Sequence, residues 1–297
     1  MENAVFRRKR KLNHMTVYDM CMYLVAGIIT LVCLLPFIYV VSVSLTDPEV
    51  YVPYEFYLIP KKFSLKVYLS ILNDGAFITA IKNTVLVTVV GTVISVFATF
   101  AYAYGLTKKK MPFQKLFMGF VIFGLLFDPG MIPNYMNIRS LGLIDSYWSL
   151  ILPAVMISWN VIVAKSFMEG MPYELEEAAK IDGCSYFGVF FKIILPLATA
   201  SIATLTLFIA VNQWNQYIKP LLYINDFQKR TIQVYIKTLL IDSTTGVGGV
   251  GGDGSNVLPS ETIRLATVVL AMLPIMSVYP FIQKYFVKGA MIGAVKG

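Results

Sequence analysis

The sequence predicts an all-α polytopic membrane protein with six transmembrane helices, and three observations carry that prediction. Of the 297 residues 57% are hydrophobic and 14% charged, against about 25% charged in an ordinary soluble domain, and the mean hydropathy is +0.68. The charges are bunched, leaving charge-free runs at Met20–Thr46, Asn83–Thr107, Leu116–Phe127, Ser146–Ala164, Ile193–Ile218 and Leu265–Gln283. Five of the six are 19 residues or longer, and roughly 20 apolar residues cross a bilayer core as a helix. The basic residues, finally, gather on one side of the path that six crossings would trace.

The first run follows Arg7-Arg8-Lys9-Arg10-Lys11, a charge pattern shared with secretory leaders, but its 27 residues exceed the 7–15 of a leader's apolar region. A retained first helix is expected, with residues 1–19 as a cytoplasmic tail. Residues 47–82, with Pro48, Pro53 and Pro60, form an outside connection, and Lys108–Lys110 a short inside one. The third run is short and reaches spanning length only if Met111–Lys115 join it, with the Lys115 ammonium extending to the interface. Asp128–Asp145, broken by Pro129, Gly130 and Pro133, lies outside; Glu169–Lys192 is the longest inside connection. An outside loop spans 219–264 and holds Gly246–Gly254, which lacks the Gly-Lys-Ser/Thr of a phosphate loop and reads as a flexible linker. The transmembrane body covers 20–286, and 287–297 is a cytoplasmic tail. No internal repeat is visible.

With the N-terminus inside, the inner face carries 15 of the 25 basic residues and seven of the 17 acids, and the outer face ten of each. The whole net charge of +8 therefore lies inside, which is the positive-inside asymmetry; both termini are cytoplasmic. This accounts for a pI near 9.2 without nucleic acid as a partner. Cys21, Cys33 and Cys184 form no CxxC pair, so neither a disulfide framework nor a metal site is indicated. His14 has no acidic or cysteine company, and with no serine–histidine pair or Walker lysine, no catalytic residue is expected.

The inside segment 172–192 carries the functional signal. Pro172 suits a helix start, and Glu174, Glu176 and Glu177 crowd the first turns, where the helix dipole favours anions. Leu175, Ala178 and Ala179 fall at i, i+3, i+4 and form a small apolar face. Gly183 can take the left-handed conformation that ends a helix. A second amphipathic stretch, Tyr186–Ile194, leads to Pro196. The expectation is a helix-turn-helix on the cytoplasmic surface with small side chains on one face.

The string Glu177-Ala178-Ala179-Lys180-Ile181-Asp182-Gly183-Cys184, followed by Ile193, Leu195 and Pro196, resembles the EAA loop (EAAxxDGA … IxLP) of ABC importer permeases, and lies where that loop lies, before the penultimate span. The resemblance implies the type I ABC importer permease fold and assigns ATPase coupling to Glu177, Ala178, Ala179, Asp182, Gly183 and Cys184, the last standing where alanine is commonest. It implies a second permease subunit, two ATPase subunits that bind the ATP and magnesium, and an extracytoplasmic solute-binding protein; this chain itself would bind no cofactor. It also implies the cytoplasmic membrane of a prokaryote. Leu141–Ser146, Asn212–Asn215 and the tail 283–297 resemble carbohydrate importer permeases, closest to those for oligosaccharides or polysaccharide fragments.

Asn212, Trp214 and Asn215, near the outer end of the fifth run, are candidate substrate-pathway residues, because amides suit sugar hydroxyls and an indole suits a pyranose face. Interfacial Trp and helix-bridging Asn offer a purely structural reading of the same residues. Two other functions stay open: an importer permease for a non-sugar solute, and a membrane scaffold that transports nothing.

Overall fold

The computed structural model describes residues 17–53, 55–108, 110–245 and 261–294. The basic cluster 7–11, His14, the glycine run 246–254 and residues 295–297 of the tail lie outside the described residues. The described residues are mostly helical, and the β structure among them is an isolated antiparallel bridge between Thr46 and Phe63.

Helix α1 (Val17–Ser44) packs along α14 (Glu261–Ala294). Most of its side chains, Tyr23, Leu31 and Phe37 among them, are exposed, as lipid-facing apolar groups would be. After α2 (Lys66–Asn73), the Asp74 side chain accepts the Ala76 N–H and starts α3 (Gly75–Thr107). The expected outside connection 47–82 is therefore already helical over much of its length. Helix α3, 33 residues and about 50 Å long, is the central column. Its buried stripe, Ala80, Thr84, Val87, Gly91, Ser95 and Thr99, repeats every three to four residues, and small members let neighbours approach closely. A Cβ on Gly91 would come within 2.8 Å of Gln213 Nε2.

The third apolar run gives α4 (Gln114–Leu126), 13 residues or about 20 Å, short of a bilayer core of about 30 Å. Of Met111–Lys115 only the last two residues join it, because Pro112 and a left-handed Phe113 (φ 59°) hold the preceding turn. Helix α5 (Met131–Ser140) follows. Next, α6 (Trp148–Ile151), extended by a 3₁₀ turn to Ala154, meets α7 (Ser158–Glu169) at 45°. The Ala154 carbonyl freed at this break accepts the Ser95 hydroxyl at 3.1 Å, a side-chain replacement for the lost helical partner.

Helix α8 (Glu174–Ile181) leads to α9 (Tyr186–Val189), which continues through a π turn (Phe190–Ile194) into α10 (Leu195–Leu197). This rod meets α11 (Thr199–Trp214) at 81°. Pro196 cannot donate to a carbonyl one turn back, and the π turn beside it is the local adjustment. The fifth charge-free run therefore starts in this rod and only then turns into α11. Helices α12 (Ile218–Tyr223), α13 (Ile232–Thr245) and α14 complete the chain.

Among the described residues α1, α3 and the first part of α14 are long and apolar enough to cross a membrane, as is each bent pair taken as one unit. With α4, these are the six stretches that the charge-free runs mark. Polar contacts between distant segments include clusters at the two ends of α3. At one end Tyr235 donates to Asp74 at 2.5 Å, and the Asn83 amide donates to the carbonyls of Gln228 and Arg230. At the other end, Lys108 meets Glu176.

Candidate functional site

Two places combine exposure with organised polar chemistry, one at each end of α3. At the Lys108 end, α8 lies against the bundle through Glu176 and Ala179, both 6% exposed. The Glu176 carboxylate receives a hydrogen bond from Lys108 and an ion pair from Lys180 at 2.7 Å. Lys108 also sits 3.9 Å from the centroid of the Tyr104 ring and Lys180 4.7 Å from that of Tyr186, favourable cation–π placements. Burial pushes the Glu176 carboxyl up, but the two lysines outweigh it and hold it below the usual range. Lys108 is pulled down by its own burial against the opposite influence of Glu176, whereas Glu176 raises Lys180.

The turn after α8 is a Schellman cap. Gly183 has φ 82°; its N–H donates to Lys180 O at 3.0 Å and that of Cys184 to Ala179 O at 2.9 Å. This pairing satisfies carbonyls left free at a helix end. Ser185 then accepts the Gly188 N–H and caps α9. The result is a helix-turn-helix whose outer face presents Leu175, Glu177, Ala178, Ile181 (86% exposed), Asp182, Gly183 and Phe187.

The six coupling candidates therefore divide. Glu177, Ala178, Asp182 and Gly183 are on the open face. Ala179 faces inward, and the half-buried Cys184 packs on the same core cluster as Ala179, Val189 and Phe190. Sequence periodicity grouped Ala179 with Leu175 and Ala178, whereas the buried face is that of Glu176 and Ala179, because the lysine pair draws Glu176 to the body. The helix dipole alone does not predict this role for Glu176; its i, i+4 spacing from Lys180 is the signal in the sequence.

At the opposite end, the last turn of α11 and the start of α12 border an open cavity of about 600 Å³ lined by Asn212, Asn215, Gln216, Tyr217 and Lys219, with Phe208 and Val211 one turn back along α11. Asn212 and Asn215, three residues apart, share its face. Trp214 does not: it is 5% exposed and packs with Phe77, Ala80, Ile232, Ala266 and Ala271. Its expected place on the pathway is corrected to a place in the core, two residues from Asn212 being about 200° around the helix. Lys219 had counted only as a loop charge. Burial lowers its ammonium below the usual lysine range, Asp128 acting in the opposite sense.

The chain after α12 is fixed by Asp145, which holds a left-handed φ of 60°. Its carboxylate accepts the N–H groups of Asn225 (2.5 Å) and Asp226 (2.9 Å), and its own N–H donates to Tyr223 O at 2.8 Å. Those donors hold its carboxyl below the usual range. Tyr147 donates to Asn83 at 2.8 Å, tying the same loop to α3.

Comparison with known proteins places these features in context. The family model described as binding-protein-dependent transport system inner membrane component matches residues 110–291. The chain is 44% identical over 282 residues to the polygalacturonan/rhamnogalacturonan transport system permease protein YtcP of Bacillus subtilis (strain 168), covering 95% of this chain and 99% of that protein. It is 42% identical over 283 residues to protein LplC of the same organism, covering 95% of each. The fold matches, with a TM-score of 0.83 and 28% identity over 92% of this chain and 98% of the other, a chain of a bacterial ABC transporter involved in the import of the acidic polysaccharide alginate.

Proposed function

Because the chain belongs to the family of binding-protein-dependent transport system inner membrane components, we propose that it is a permease subunit of an ATP-driven importer of oligosaccharides. The observation that carries this reading is the open face of α8 and its turn, held on the bundle by Glu176 and Ala179 while Glu177, Ala178, Asp182 and Gly183 stay free. That is the arrangement a separate ATPase subunit would grip. The names of the relatives YtcP and the alginate importer support a carbohydrate cargo.

The chain crosses the membrane six times in this reading, α4 with its flanking turns forming the third crossing and each bent pair one crossing. Both termini and α8 are cytoplasmic, which puts the +8 charge inside. A second permease completes the pathway, two ATPases bind ATP and magnesium, and an extracytoplasmic protein delivers the cargo. Closure of the ATPases displaces α8. The thrust reaches α3 through Glu176–Lys108 and α11 through the continuous rod 186–197, where the 81° elbow turns motion along the surface into tilt of α11. Direction comes from ATP binding one state more tightly than the other.

The test is reconstitution of the chain with its partner permease, ATPase and binding protein in liposomes. ATP-dependent accumulation of galacturonate oligomers supports the reading. Accumulation of a non-sugar solute instead would redirect the cargo, and ATPase association without any accumulation would leave a scaffold.

A further inference from the structure

We infer that Lys219 reads a carboxylate on the passing cargo at the outer cavity, so that the pathway favours acidic over neutral sugars. The inference rests on the carbohydrate-import reading above and adds to it the charge of the cargo. Among the described residues Lys219 is the partly buried lysine with no carboxylate within ion-pair distance; Lys108, Lys165, Lys180 and Lys229 each have one. Asp128 acts on it only from beyond that distance, and the Asp128 carboxylate accepts the Gly130 N–H at 2.9 Å. An ammonium drawn out of water without a counter-charge is costly, and an arriving carboxylate removes that cost while adding a charge-assisted hydrogen bond.

The surroundings suit a sugar acid rather than a bare anion. Asn212 and Asn215 line the same cavity, with Gln216 and Tyr217 beside them. These groups donate and accept, as ring hydroxyls require. A neutral sugar would meet the amides equally well but leave the ammonium unmatched. A site whose polar group is left unpaired discriminates strongly against the analogue that lacks the partner. A single cation also lets the cargo leave, because a pathway site must bind weakly enough to release. Polygalacturonan and alginate, named for two of the relatives, are both polymers of uronic acids.

The test uses the complete importer in liposomes, with galacturonate oligomers and the same oligomers methyl-esterified at the carboxyls. K219Q is expected to lower the acidic-to-esterified uptake ratio by about tenfold or more, the discrimination typical of a charge-assisted bond, and K219R to preserve most of it, at equal permease abundance. An unchanged ratio in K219Q overturns the inference and leaves sugar import standing. Equal loss of both cargoes also overturns it, assigning Lys219 to a structural contact or an outer-leaflet phosphate. A wild-type importer that accumulates neither oligomer removes this inference together with the reading beneath it.

Discussion

The Lys108 ammonium and the Glu176 carboxylate pair across the junction between the end of α3 and the first turns of α8, both side chains largely withdrawn from solvent. Sixty-eight residues apart in sequence, they join the central column of the bundle to α8, whose outer face is open. Removing one partner strands the other, and breaking a fully buried pair this way costs about 3–5 kcal/mol. Because Lys180 also reaches Glu176 and solvent is near, E176Q is expected to cost at most about 3 kcal/mol and to reduce ATP-dependent uptake. K108M should do likewise, and the E176Q/K108M double variant should lose less than the sum. Thermal unfolding of the purified complex checks the cycle.

The same pair has a pH signature. The folded-state pKa of Glu176 is depressed, so its contribution is complete above the ordinary glutamate value of about 4.3 and is lost as pH falls through the lower folded value. A spin label at position 178 should stay restrained at neutral pH and gain mobility on acidification below about pH 4. In E176Q the label should be mobile already at neutral pH.

Gly183 has open space around its Cα, so substitution there tests backbone conformation and not steric room. At φ 82° a β-branched residue is strained by about 1–3 kcal/mol, while asparagine tolerates the left-handed region. G183V should weaken ATPase association and uptake, and G183N should retain most of both; co-purification of the ATPase reads the difference.

At the Lys219 end the structure separates Trp214 from Asn212 and Asn215. W214A removes a buried indole, a change that typically costs about 3–5 kcal/mol, and should lower membrane abundance. N212A and N215A should leave abundance intact and change uptake. Equal loss of abundance in all three would return the asparagines to a structural role.

Much of this was legible in sequence, for identifiable reasons. The apolar runs gave the helices because lipid and core both demand hydrocarbon, and Gly183 gave the cap because few residues take positive φ. Trp214 was misplaced because composition says that an aromatic sits near an interface, not which side of the helix it occupies. Ala179 was misgrouped because its neighbour Glu176 turns inward against the ordinary rule for acids, and only the distant Lys108 makes that stable. The length of α4 and the 81° elbow were hidden for a similar reason: Pro112 and Pro196 were visible, but the turns they impose depend on how α3, α7 and α11 pack. Lys219 looked like any loop lysine until the cavity showed what lies beside it.

In the proposed importer the open face of α8 is where an ATPase engages the permease. The most direct test is maleimide labelling of A178C in inside-out vesicles, with Cys21, Cys33 and Cys184 replaced by serine. Ala178 is exposed whereas Cys184 is half-buried, so position 178 is the informative one. Strong labelling of the permease alone, and clear protection once the ATPase is bound, is the expected result. Equal labelling with and without the bound ATPase would place the ATPase contact elsewhere than on α8.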